Sequence, residues 1–330
     1  MSAHLPDGLM DFVEAAGWAG VVVEPLPGDA SFRRYFRLRD QRGQTAMLMH
    51  APPPHEDPAP FLAVGRWLAD NGLRAPAILA EKAADGWVLL EDFGNDRVRD
   101  HLDLHPGDER VVYEAAIDAL VALGRCAAGP WAPYDMAVYL REARLLVEWW
   151  APAMGLEVDA AGYDAAWQAA LAPLVARQGE GVTVLRDYHA ENIMLIEGDL
   201  RAQGLLDFQD ALVGHPAYDL VSLLQDARRD VAPELEQAML AHYLAATGAP
   251  RGEFLADYAL LGAQRNAKIV GIFVRLCKRD GKARYLDLIP RVWALMERDL
   301  AHPALVPVAA WFEANIPADL RAAHGGRVPA

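Results

Sequence analysis

Three residues of this chain have types and a spacing that suit one chemistry. Asp187, Asn192 five positions later and Asp207 stand in the stretches LRDYHAENIMLIEG and LLDFQDA. Phosphoryl transfer asks a protein for little covalent chemistry: a carboxylate aimed at the attacking hydroxyl, and oxygen ligands that hold Mg²⁺ against the phosphates. Asp187 can supply the first. Asn192 and Asp207 can supply the second, because Mg²⁺ takes only one or two protein ligands and keeps waters and phosphate oxygens for the rest. The order D-x-x-x-x-N followed by D-F is that of a protein-kinase catalytic loop and its metal-binding aspartate. Any one of these residues alone could merely order a turn. All three in order, with Asp219 following in PAYDLVSLL, favour the chemical reading.

Such groups need rigid supports. Val182, Val184 and Leu185 end one apolar segment, Ile193 to Ile196 make another, and Gly204, Leu205 and Leu206 lead into Asp207, so short strands flank both acids. Upstream, Val21 to Leu26, Phe32 to Leu38 and Gln44 to Met49 read as three strands, the first two joined by the turn PGDAS. GDASFRRY has the outline of a glycine-rich phosphate loop, although only Gly28 remains glycine and Ala30 and Arg33 fill the other two glycine positions. Its backbone N–H groups and the Ser31 hydroxyl can meet phosphate oxygens. Arg33, Tyr35 and Arg37 share a face by period two. That face would set Tyr35 over an adenine and Arg33 near phosphates; a hairpin with a solvated arginine face is the alternative. The third strand ends in Met49, where a phosphate-pairing lysine would fall. Either the site is inactive or another cation, Arg33 or Arg34, does the work, and the intact acidic motifs favour the latter.

A helix is expected from Pro6 to Ala16, and a second from Asp57-Pro58 to about Gly72, with Glu56 and Asp57 capping it rather than binding a ligand. Ile78 to Ala80 and Gly86 to Leu90 suggest two more strands. After LEDFG the chain turns to long alanine- and leucine-rich helical patterns, placing a lobe boundary between residues 93 and 94. Helices are expected over Asp108 to Ala127, Met136 to Trp150, Tyr163 to Ala176, Leu240 to Ala246, Tyr258 to Lys278 and Leu288 to Leu300. Charges within the second of these, Arg141, Glu142, Arg144 and Glu148, have the spacing of a solvated face; Glu142 or Arg144 could instead meet an acceptor. Gln209 and Asp210 either hydrogen-bond the acceptor or order the loop after Asp207. The stretch QRNAKIVGIFVRLCKRDGKARYL is locally basic, and Arg265 and Lys268 are its candidates for the cleft, the others balancing acidic neighbours.

The 330 residues, 53% of them apolar, can fill a substantial core in one two-lobed enzyme. Lys plus Arg number 31 against 46 Asp plus Glu, a formal charge of -15, which argues against nucleic acid or an anionic membrane as partner. Cys126 and Cys277 are too few for a disulfide framework. No secretory signal pattern and no long uninterrupted apolar run is present, so a cytoplasmic protein without a membrane span is expected. No obligate protein partner is evident.

Over nearly its whole length the sequence resembles the aminoglycoside phosphotransferase and choline kinase superfamily. It is most similar to the anomeric N-acetylmuramate and N-acetylglucosamine kinases of peptidoglycan recycling, through GDASFRRYFR, MHAPPPHED, LLEDFG, LRDYHAEN, LLDFQDA, YDLVSLL and GIFVRLCKRDGKARYL. Leu185 departs from the superfamily, which usually has histidine there. The resemblance implies a two-lobed α+β kinase-like fold, with an antiparallel-sheet lobe over 1–93 and a mainly helical lobe over 94–330. It implies ATP and Mg²⁺ as cofactors, adenine held by backbone around Glu91 to Phe93, Asp219 bracing the catalytic loop, and an amino sugar phosphorylated at its anomeric hydroxyl. An aminoglycoside, choline or another amine-bearing alcohol is the alternative acceptor, and a nucleotide-binding pseudokinase the alternative to an enzyme.

Overall fold

A computed structural model describes residues 5–27 and 32–329. Gly28 and Ser31, expected to cradle phosphate, lie outside the described residues. Contacts divide the chain into two compact units. The first takes the chain up to Ala115 together with Glu191–Ala211; the second comprises Ala116–Ala190 and the chain from Leu212 onward.

The first unit is built on a five-stranded antiparallel sheet. Its strands are β1 (Val22–Pro25), β2 (Arg34–Arg39), β3 (Thr45–His50), β4 (Ile78–Lys82) and β5 (Trp87–Glu91), in the spatial order β1-β2-β3-β5-β4. Side chains alternate between the faces of a strand. One face therefore collects Phe36, Leu38, Ala46, Leu48, Trp87 and Leu89, which form a core with Leu9, Phe12 and Val13 of α1 (Leu9–Ala15). The register pairs Tyr35 with Met49 and Arg37 with Met47, so these four look the other way. Helix α2 (Ala59–Asp70) starts after Pro58 and buries Phe61, Leu62, Val64 and Leu68. Helix α3 (Val98–Leu104) and the first turns of α4 (Glu109–Arg125) follow. A later hairpin, β7 (Ile193–Ile196) with β8 (Asp199–Leu205), belongs to the same unit. Gly204 lets it pack tightly: a Cβ there would come within 2.4 Å of the Phe93 ring.

The second unit carries β6 (Val182–Val184), paired antiparallel with β9 (Leu212–Gly214), and a set of helices. These are α5 (Met136–Ala143), α6 (Ala151–Ala153), α7 (Ala160–Arg177), α8 (Ala217–Leu224), α9 (Pro233–Thr247), α10 (Arg251–Asp280), α11 (Ile289–Leu300), α12 (Val306–Asn315) and α13 (Ala318–Ala322). The 30-residue α10 packs against α5, α8 and α11. The helix expected over Met136 to Trp150 is not continuous: α5 gives way to a wider π turn at Leu146–Trp150. The change coincides with a close approach of α10, where a Cβ on Gly271 would sit 2.2 Å from the Leu145 backbone. No helix among the described residues is long and apolar enough to cross a membrane.

Candidate active site

In the second unit, the loop that carries Asp187 is fastened on both sides. The buried Asp219 carboxylate of α8 accepts the Leu185 N–H at 2.6 Å and the Arg186 N–H at 2.8 Å. Burial pushes the Asp219 carboxyl up to about 7 against these two donors, which favour the anion. Ser222 donates to the Arg186 carbonyl at 3.3 Å and accepts from Arg265 at 2.7 Å. Beyond Asp187, the Tyr188 hydroxyl donates to the Ala116 carbonyl at 2.8 Å. Arg186 itself has φ 73°, a left-handed backbone that a non-glycine residue rarely adopts.

Buried cations surround that loop. Burial alone would raise the Asp187 carboxyl, but Lys268, Arg265 and Arg186, joined by His189 when that ring is protonated, outweigh it and hold the group below the ordinary aspartate value; burial itself favours the neutral His189 ring. Asp187 is thus a carboxylate under conditions where an isolated buried acid would take up a proton. Next to it lies a compact charge cluster. Glu142, 6% exposed, is hydrogen-bonded to the Tyr134 hydroxyl and to Arg186, and its carboxylate is 3.1 Å from Lys268 Nζ. Burial opposes the Glu142 charge, yet Lys268 and Arg186 keep its carboxyl below the usual range. Arg186 also lies over the Tyr134 ring, and Lys268 donates to the Tyr218 hydroxyl at 3.3 Å.

In the first unit, the β7–β8 hairpin sets Asn192 beside Asp207. Ile193 pairs with Leu205, and the Leu206 N–H donates to the Asn192 carbonyl at 2.9 Å, so the two residues sit at the same end of the ladder. Phe208 anchors this end: its ring stacks on Phe61 of α2 at 4.9 Å and also faces Gly65. Asp207 takes φ 57° and stays exposed, and Gln209 donates to its carboxylate at 2.8 Å. An amide and a carboxylate at one end of the same ladder are the donor types that suit a hard divalent ion, which completes its shell with water and phosphate oxygens. On the sheet face opposite α1, Arg33 hydrogen-bonds Tyr35 and pairs with Glu56 at 3.4 Å. Burial works against the Arg33 charge, and Tyr35, Glu56 and Asp207 more than offset it. Met49, fully buried, lies across the ladder from Tyr35 on this same face. Arg34 alternates to the other face, opposite His50. At the far end, Arg37 reaches Asp92 at 2.7 Å and the Gly94 carbonyl at 2.8 Å. The Glu91 carboxylate is taken up by Arg74 and the Ala77 N–H, and Arg74 covers the Phe93 ring at 4.9 Å.

Residues 22–255 match the family model described as "Phosphotransferase enzyme family". The chain belongs to this family. N-acetylmuramate/N-acetylglucosamine kinase of Caulobacter vibrioides is 38% identical to it, covering 94% of this chain and 96% of that protein. The protein of the same name from Pseudomonas aeruginosa is also 38% identical, covering 91% of each. Among solved structures, a choline/ethanolamine kinase family protein from Mesorhizobium loti has a TM-score of 0.63 at 16% identity, covering 93% of this chain and 97% of that one. The last is a likeness of fold.

Within this phosphotransferase, the sequence-derived candidates do not all gather in one place. Glu142 and Lys268 meet, and Arg265 reaches the loop that carries Asp187 through Ser222. The spacing of the charges suggests a solvated face for Glu142; it is buried instead, because its helix turns that side toward α10. Arg144 is directed to Asp164 of α7 at 2.6 Å, and Asp210 is exposed. Gln209, left open between the acceptor and the loop, bonds Asp207. Of the two acids expected to cap α2, Asp57 accepts the Ala59 N–H at 2.8 Å, whereas Glu56 turns to Arg33 and the Phe32 N–H. Two contributors are absent from the sequence reading, Arg186 and Tyr134. Arg186 carries a signal, since it directly precedes the candidate base in a turn; Tyr134 carries none, being one tyrosine in a loop. A separate cavity of about 500 Å³ in the second unit is lined by Arg125, Arg177, His215, Tyr243 and Asp257, and contains none of the candidates.

Proposed function

We propose that this phosphotransferase uses ATP to phosphorylate the anomeric hydroxyl of N-acetylmuramate and N-acetylglucosamine, yielding sugar 1-phosphates for reuse of cell-wall material in the cytoplasm. The observation that carries the reading is Asp187, a carboxylate kept ionised by buried cations at the place in the motif where phosphoryl transfer needs its base. The names of the relatives support the choice of sugar.

In this mechanism Asp187 orients the anomeric hydroxyl and accepts its proton as that oxygen bonds to the γ-phosphorus. The bond from the γ-phosphorus to the bridging oxygen breaks, and ADP leaves. Mg²⁺, when bound, neutralises charge on the phosphate oxygens. Asn192 and Asp207 would hold it, with Gln209 fixing the Asp207 carboxylate. Arg33 stands in for the lysine that Met49 replaces, oriented by Glu56. Glu91 to Phe93 present their backbone to the adenine. Lys268, Arg265 and Arg186 near the base disfavour a cationic acceptor, which argues against aminoglycosides and choline.

The test is ADP release with both amino sugars, an aminoglycoside and choline, with the product examined by phosphorus NMR. Coupling of the new phosphorus to the anomeric proton, with loss of the reducing end, is the expected result. Turnover of amines alone, or phosphate at another carbon, would refute the proposal.

A further inference from the structure

A site that accepts both N-acetylmuramate and N-acetylglucosamine faces an electrostatic problem, because the first carries a carboxylate and the second does not. A buried cation suited to the acid would be left unpaired by the neutral sugar, and an unpaired buried charge is costly. The cluster beside Asp187 contains what resolves this. Lys268 and Arg186 share one carboxylate, Glu142, which is itself held by the Tyr134 hydroxyl. Of the three N–H donors of the Lys268 ammonium, two are accounted for by Glu142 and the Tyr218 hydroxyl, and Asp187 lies within its electrostatic reach. The Lys268 side chain keeps 12% of its surface exposed, that of Arg186 20% and that of Glu142 7%, so the two cations are the more accessible members of the cluster.

We infer that Lys268 is a specificity-determining residue, which binds the carboxylate of an acidic amino sugar through its remaining N–H, and that Glu142 is the resident counter-ion that keeps it paired when a neutral sugar occupies the site. Arg186 holds Glu142 in place during the exchange, so neither acceptor leaves a bare charge behind. The inference rests on the amino-sugar reading above.

The test is the ratio of kcat/KM for N-acetylmuramate to that for N-acetylglucosamine, which cancels any general damage to Asp187. A charge-assisted hydrogen bond contributes enough that Lys268→Met should lower this ratio at least about tenfold. Glu142→Gln removes the competitor for Lys268 and should raise it. Lys268→Arg keeps the charge and should retain most of the preference. If Lys268→Met does not fold, Glu142→Gln decides alone. An unchanged ratio in Glu142→Gln, or an equal loss on both sugars in a folded Lys268→Met, overturns the inference while leaving the amino-sugar reading intact. If the wild-type protein turns over neither sugar, that reading fails and the inference falls with it.

Discussion

Arg186 offers a prediction in which two opposed effects can be separated. Its φ of 73° places an L-residue in the left-handed region, which costs about 1–2 kcal/mol. Glycine removes that cost but gives up about 0.4–1 kcal/mol through its freer unfolded chain. Arg186→Gly and Arg186→Ala both lose the guanidinium contact to Glu142, so they differ only in the backbone. The glycine variant should therefore be the more stable, by about 0.8 kcal/mol at the midpoints of these two ranges, the reverse of the usual order at a helix or strand position. Both should lie below the wild type. Losing a hydrogen bond between charged groups costs about 1.5–3 kcal/mol, more than the backbone relief returns. Urea unfolding of the three proteins, with midpoints compared at equal slope, measures these differences. An alanine variant as stable as the glycine variant would refute the backbone argument. A glycine variant more stable than the wild type would refute the contribution assigned to the Glu142 contact.

Two further outcomes follow from the same geometry. Arg33→Ala should raise the KM for ATP or lower kcat by about tenfold or more, as loss of a charged contact implies, and unchanged ATP kinetics would remove Arg33 from the phosphate-binding role. Asp219→Asn would set an amide N–H₂ against one of the backbone N–H groups of Leu185 and Arg186; leaving that donor unsatisfied costs about 1–3 kcal/mol. Thermal unfolding should show the loss, and faster hydrogen exchange at the two amides should accompany it. Unaltered exchange would mean that Asp219 does not hold the loop.

Much of the fold could be read because its patterns are local. On β2, Phe36 and Leu38 face the core while Tyr35 and Arg37 face away, the alternation that a half-buried strand must show, and α4 and α10 carry long helical periodicity. The candidate motif stands out for a similar reason: Asp187, Asn192 and Asp207 lie in short, ordered spacings. Strand β9, only Leu212–Gly214, is too short to give a pattern and exists through its pairing with β6. The π turn at Leu146–Trp150 lies where α10 approaches closely, a neighbour more than a hundred residues away in the chain that local pattern does not reveal. Long-range pairing likewise hid the role of Glu142. Periodicity can place it on a helix, but its burial is set by Arg186 and Lys268, which arrive from the loop after β6 and from α10. The partner of Arg33 was obscured in the same way, since Glu56 precedes a helix and looks like a cap until the sheet face brings Arg33 to it.

The central claim is that Asp187 acts on the acceptor hydroxyl. Steady-state phosphorylation of N-acetylmuramate at saturating ATP, compared between the wild type and a folded Asp187→Ala variant, tests it most directly. General-base assistance is worth about 10²–10⁴ in rate, so kcat should fall at least about a hundredfold with the fold intact. A folded variant that keeps kcat within a few-fold of the wild type would contradict the account.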